Sequence, residues 1–390
     1  MQRYIFQKII LIKEEIIMKK CFLCNAIITK DNNTKEHIIP NALGGIKKVE
    51  GFICNNCNNE TGHKWDSKFT KQLNYFSHFF RIKKERGKVQ KQELITSSGK
   101  KYLEDLEGNL VPRHPTITKS KLDNNTTQFN IQVRDFNELD SQLKSLKKKY
   151  SELNIEELKK KAKIEHSYLD EPFIVNGTIG GKEEGKSVVK TVLSFCFSIG
   201  IEPTDCDEAL EYLINDGVLS FGYYNEREVI KNRPAKKPLH IIHIEAIPDE
   251  NLLIGYIEYF SIYKILVCLS RKYNGKKVSK SYAIDPTKAK EIKHLNIDIS
   301  FLKSIDIDDV YNYKKIDYKK WKDDFSQIYG TRFREKREKN KNDAIERAIQ
   351  KGLEKVGVNN IEQMTDFQKS FFSSIVANEI VNYLRVNNLL

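Results

Sequence analysis

Residues 21–66 read CFLCNAIITKDNNTKEHIIPNALGGIKKVEGFICNNCNNETGHKWD, and this stretch decides the fold. It opens and nearly closes on two C-x-x-C pairs, Cys21/Cys24 and Cys54/Cys57, with 29 residues between the pairs. A C-x-x-C knuckle places two sulfurs on one side of an ion, and two knuckles complete the tetrahedral thiolate shell that zinc takes. Close pairing in a chain without a recognisable secretion signal favours a metal over disulfides. A module this small buries little apolar surface, so metal binding would supply part of its folding energy. The remaining cysteines, Cys196, Cys206 and Cys268, stand singly among apolar residues and read as buried thiols.

Between the knuckles stands Glu36-His37-Ile38-Ile39-Pro40, followed by Gly44-Gly45. Directly after Cys57 come Asn58, Gly62 and Asp66. The run C-x-x-C, E-H-I-I-P-x-x-x-G-G, C-x-x-C-N-x-x-x-G-x-x-x-D resembles the HNH endonuclease superfamily. It is most similar to the zinc-clamped subgroup of the endonuclease VII type. The resemblance covers residues 18–70 and implies a ββα-metal fold. Residue by residue, it implies that His37 is the general base, that Glu36 holds the metal where the family usually has Asp or His, and that Asn58 is the closing ligand. Val49 stands where the family has a loop-bracing asparagine.

The chemistry is intelligible from the residues as well. Phosphodiester hydrolysis needs an activated water and a cation on the scissile phosphate. Neutral histidine is the natural base near pH 7. A carboxylate and an amide oxygen suit a hard cation, magnesium or manganese. Adjacent strand residues face opposite ways, so Glu36 and His37 serve one site only if the strand bends between them.

Each residue has a plainer reading. Asn58 could cap a helix. His63, four after Asn59, fits a surface position better than a ligand. Gly44 and Gly45 read as the turn between hairpin and helix. Trp65 and Asp66 read as packing. A second motif, Gly180-x-x-x-x-Gly185-Lys186-Ser187, matches a phosphate-binding loop. Glu183 and Glu184 would sit where phosphates belong, so the expectation is a glycine turn before a helix with Lys186 outward.

Outward from this stretch, 390 residues are enough for two or three domains at roughly 150 residues each. No apolar run approaches the about 18 residues of a membrane span. Lys and Arg number 66 against 53 Asp and Glu, a net charge of +13 that favours a polyanionic partner. Residues 1–17 read as an N-terminal extension; 18–85 form the nuclease module; 86–300 form an α+β region; 301–390 are helical. The fold class is α+β. Within 86–300, KSVVKTVLSFCFSIG from Lys186 to Gly200 reads as a buried helix, and LHIIHIEAI, LLIGYIEYF, YKILVCLS and KSYAI read as strands. Residues from about 92 to 128 look polar and rich in turns.

Two basic runs stand out. Arg81–Lys91 carries six positive charges against Glu85, and Arg332–Lys341 carries six against two. Lys83, Lys84 and Arg86 in the first are candidate phosphate contacts. The expectation is a cytoplasmic, metal-dependent endonuclease with a structural zinc, acting on double-stranded DNA, in the manner of a regulated effector such as anti-phage defence would use. Residues 86–390 are left to DNA positioning, homo-oligomerisation, or control by a ligand or partner protein. The alternative is a catalytically inactive, zinc-stabilised nucleic-acid-binding module.

Overall fold

The computed structural model describes residues 19–83, 85, 91–105, 108–121, 127–163, 169, 171–174, 180–387 and 389. The N-terminal extension and the candidate contacts Lys84 and Arg86 lie outside the described residues.

The chain begins with a hairpin, β1 (Asn33–His37) and β2 (Lys48–Cys54), followed by α1 (Asn55–Thr61). A π-helical turn at Gly62–Asp66 leads into α2 (Ser67–Gln72) and α3 (Asn74–Phe79). This is the ββα order expected of the N-terminal module. The Gly44-Gly45 pair lies inside the hairpin, between a 3-10 turn at Asn41–Leu43 and β2, and not between hairpin and helix. A Cβ on Gly45 would meet the Ile39 carbonyl oxygen at 1.8 Å, so only glycine permits this close return of the chain.

The region from 92 to 121, expected to be turns, holds β3 (Gln92–Thr96), β4 (Lys101–Glu104), β5 (Leu110–Pro112) and β6 (Thr116–Lys121). These strands are short and largely exposed, so no apolar alternation marks them. β7 (Thr127–Gln132) pairs with β6, and two helices follow, α4 (Phe136–Lys147) and α5 (Ile155–Lys161). β8 (Phe173–Ile174) closes a four-stranded sheet in the order β5-β4-β3-β8.

The centre of the molecule is α6 (Lys182–Ser198), then α7 (Asp207–Asn215), then a six-stranded antiparallel sheet. Its strands are β9 (Phe221–Tyr223), β10 (His240–Ile247), β11 (Leu252–Tyr259), β12 (Tyr263–Ser270), β13 (Ser279–Asp285) and β14 (Lys290–Glu291), in the order β14-β13-β10-β11-β12-β9. β10, β11 and β12 read as continuous apolar runs because both faces of the sheet are covered. One face packs on α6 and the N-terminal module. The other packs on Ile297, Ile299, Leu302 and the helix α8 (Ser304–Tyr311). The chain ends in two long helices, α9 (Tyr318–Val356) and α10 (Asp366–Val386). Among the described residues no helix is long and apolar enough to cross a membrane.

The N-terminal module shares its core with the rest of the chain. Phe52, Ile53, Phe69 and Phe76 belong to one buried cluster with Val189, Leu193, Tyr259 and Tyr329. The Phe69 ring lies 4.8 Å from that of Tyr259, and Phe76 lies 5.7 Å from Phe260. His240 on β10 adds a polar tie: its Nε2 donates to the Leu43 carbonyl at 2.8 Å, and its Nδ1 accepts from the Phe260 amide at 3.2 Å. Burial pushes His240 down to about 4, so the ring stays neutral and holds this tautomer.

The segment resembling a phosphate-binding loop opens α6, which begins at Lys182, and its backbone is engaged by the protein itself. The Gln72 side chain donates to the Gly180 carbonyl at 2.9 Å and accepts from its amide at 3.1 Å. Lys186 does not point outward. It is buried, donates to the Leu213 carbonyl at 2.9 Å, pairs with Asp216 at 2.5 Å, and lies 5.3 Å above the Trp65 ring. Gly185 is a packing contact: a Cβ there would meet the Phe221 ring at 2.1 Å. Gly185→Val is therefore expected to destabilise the fold by about 1–3 kcal/mol, the usual cost of overpacking. Urea denaturation checks this, and an unchanged midpoint would contradict the packing role.

Candidate active site and zinc clamp

The first knuckle is a tight turn in which the Asn25 amide donates to the Cys21 carbonyl at 2.8 Å, with Asn25 at φ 57°. The second begins at the end of β2 and runs into α1, so Cys54 and Cys57 lie one turn apart. The hairpin brings the two together. The four sulfurs of Cys21, Cys24, Cys54 and Cys57 all lie within 4.8 Å of one another, and those of Cys24 and Cys54 are 3.7 Å apart. Zn–S bonds of about 2.3 Å in a tetrahedron set the sulfurs about 3.8 Å apart, so the set fits zinc. Burial and the neighbouring sulfurs push the Cys57 thiol far up. Without a cation the Cys57 thiol therefore stays protonated; a bound cation would favour its thiolate.

Beside the clamp lies an open cleft of about 400 Å³, lined among others by Glu36, His37, Asn58, His63 and Asp66. The structure thus brings the three expected catalytic and metal-holding residues to one place. Strand pairing is regular through Glu36↔Val49 and His37↔Lys48, and the bulge lies earlier, between Asn33 and Lys35. The expected bend between Glu36 and His37 is not where the strand is irregular. Both nevertheless line the cleft, His37 as the last residue of β1. Val49 is buried opposite Glu36, as a packing residue.

His37 Nε2 and Glu85 Oε2 are 2.9 Å apart, and Lys48 Nζ donates to Glu85 Oε1 at 2.8 Å. Hydrogen bonds from Lys48 and His37 bring the exposed Glu85 carboxyl down to about 2. With Nε2–H donated to Glu85, Nδ1 is the ring atom left to accept a proton. Asn58 is not a cap: it lies inside α1, which Cys54 precedes. Its amide nitrogen donates to Thr34 Oγ1 at 2.8 Å, which leaves the amide oxygen available to a cation. His63 is exposed on the π-helical turn.

Glu36 is buried, 8% exposed, and its Oε1 accepts from Lys190 Nζ at 2.7 Å. Lys190 also pairs with Asp66 Oδ2 at 2.5 Å, so Asp66 lines the cleft and is not merely packing. Burial pushes the Glu36 carboxyl up against the pull of Lys190. Burial also works against the Lys190 charge, but Asp66 and Glu36 outweigh it and hold the ammonium up. The sequence pattern did not single out Glu85 or Lys190.

Residues 21–74 match the sequence model of the HNH endonuclease family. The chain therefore carries an HNH endonuclease region, and the four cysteines and Glu36, His37, Asn58 and Asp66 all fall within it. No curated protein and no solved structure matches the chain.

Proposed function

We propose that this protein is a cytoplasmic, metal-dependent endonuclease that hydrolyses phosphodiester bonds in double-stranded DNA. The observation that carries the reading is the convergence of Glu36, His37 and Asn58 on one open cleft beside the four-sulfur cluster. His37, oriented by Glu85, takes the proton of the attacking water at Nδ1. Glu36 and Asn58 hold magnesium or manganese. When bound, that cation supplies positive charge to the scissile phosphate and the departing 3′ oxygen. Lys48 keeps Glu85 ionised, so Glu85 steadies the imidazolium that forms.

The rival reading is a zinc-stabilised nucleic-acid binder without catalysis. It draws on one observation, that Lys190 already engages Glu36. Plasmid cleavage with and without divalent cation separates the two. The size of the chain beyond the matched segment supports a regulated effector, such as one directed against foreign DNA, because an unrestrained nuclease would damage host DNA.

Lys83, Lys84 and Arg86 contribute affinity and not sequence preference. Replacing all three with Gln is expected to weaken DNA binding evenly across sequences. It should also reduce the slope of log K against log salt by about 0.9 per lost phosphate contact. Fluorescence anisotropy at several salt concentrations checks this. An unchanged slope would return the segment to a solvated charged face.

A further inference from the structure

Lys190 lies well outside the matched residues, on a helix of the large region, yet its ammonium contacts Glu36 and Asp66, two of the residues that line the cleft. Its side chain is 3% exposed. Nζ lies 2.7 Å from Glu36 Oε1, 2.5 Å from Asp66 Oδ2 and 3.4 Å from Thr61 Oγ1. Three residues earlier on α6, Ser187 Oγ donates to Asp66 Oδ1 at 2.6 Å. Both oxygens of Asp66 therefore end on α6.

A buried ammonium needs close anionic partners, and two buried carboxylates repel each other unless a cation lies between them. The lysine stem rises from a rigid support. Val189, Val192 and Leu193 are fully buried in the core shared by α6, the sheet and the N-terminal module. This arrangement ties β1, the π-helical turn and α6 to one point beneath the cleft.

We infer that the catalytic site is composite. α6 supplies Lys190 as a positioning residue that draws Glu36 and Asp66 together and leaves Glu36 Oε2 for the divalent cation. The inference rests on the nuclease reading given above. It assigns part of the chain beyond the HNH segment a place in the chemistry. It also gives the Gly-Lys-Ser run a use other than nucleotide binding, since its serine holds Asp66.

The test uses the full-length, zinc-loaded protein and its Lys190→Met variant. Manganese binding is measured by calorimetry, and plasmid cleavage with magnesium is followed in parallel. Lys190→Met is expected to keep its zinc and its DNA affinity. Its kcat should fall by about 10–10²-fold, the cost of misplacing a catalytic group by about an ångström. KM for DNA should not change, manganese affinity should shift severalfold, and the rate at saturating magnesium should stay below that of the wild type, because Glu36 is still misplaced when the site is full. A purely structural ion pair would lower thermal stability and leave kcat and manganese affinity per folded molecule unchanged.

If Lys190→Met does not fold, Asp66→Asn/Lys190→Met keeps the local charge. Glu36, Asp66 and Lys190 sum to −1, and Glu36 alone is also −1. The double variant is expected to fold, to bind manganese with altered affinity and to cleave slowly. Wild-type cleavage and manganese binding in either folded variant would overturn the composite site and leave the nuclease reading standing. A wild-type protein that binds manganese in a Lys190-dependent way without cleaving DNA would do the reverse. Neither binding nor cleavage in the wild type would sink both.

Discussion

His37→Ala is expected to keep its fold, its zinc and its DNA affinity while cleaving at least about 10²-fold more slowly, the low end for loss of a general base. The His37 side chain is 20% exposed at the end of β1, and its hydrogen bond goes to the exposed Glu85. Removing it opens no core cavity, so slow cleavage would not reflect unfolding. The metal-holding residues should behave differently. Glu36→Gln and Asn58→Ala should also be slow, but raising the divalent cation should partly restore them. A weakened metal site refills by mass action, whereas a missing base does not return. Initial rates on supercoiled plasmid across a magnesium series distinguish the two patterns. Full activity in His37→Ala would contradict the mechanism.

Cys54→Ser is expected to release the zinc and expose residues 19–80 to protease. Zinc binding by small thiolate modules contributes on the order of 10–16 kcal/mol, more than a short hairpin and helix gain from burial alone. Cys54 ends β2 beside Ile53 and Phe52, which are buried in the core shared with α6. Loosening should therefore spread to the α6 contact, while the six-stranded sheet keeps its second core on the far face. Elemental analysis and limited proteolysis check both parts. A wild type without zinc, together with a mutant as resistant as the wild type, would remove the clamp from the account.

The clamp and the order hairpin–helix were legible because thiolate chemistry fixes residue type and spacing within a short stretch. The strands β10 to β12 were legible because burial on both faces demands apolar runs. The polar strands β3 to β6 were not, since exposed two-sided strands carry no alternation. The cleft was legible only in part. Lys190 lies 154 residues from Glu36 and 124 from Asp66 in sequence, and no local pattern joins them. The signal it did leave was a lysine in the middle of a helix read as buried, which requires an acid nearby. Glu85 was hidden as the lone acid in a basic run, where counting charge masked a side chain that orients His37. The Gly-Lys-Ser match misled for the opposite reason. Its spacing is right, but Gln72 engages the Gly180 backbone, α6 has already begun at Lys182, and Gly185 packs against Phe221.

The most direct test is cleavage of supercoiled plasmid by the full-length, zinc-loaded protein with magnesium, with manganese, and with neither. The account predicts nicked or linear product that forms only with added divalent cation and is lost in His37→Ala. Tight DNA binding with intact plasmid under all three conditions would contradict it and leave a zinc-stabilised nucleic-acid-binding protein.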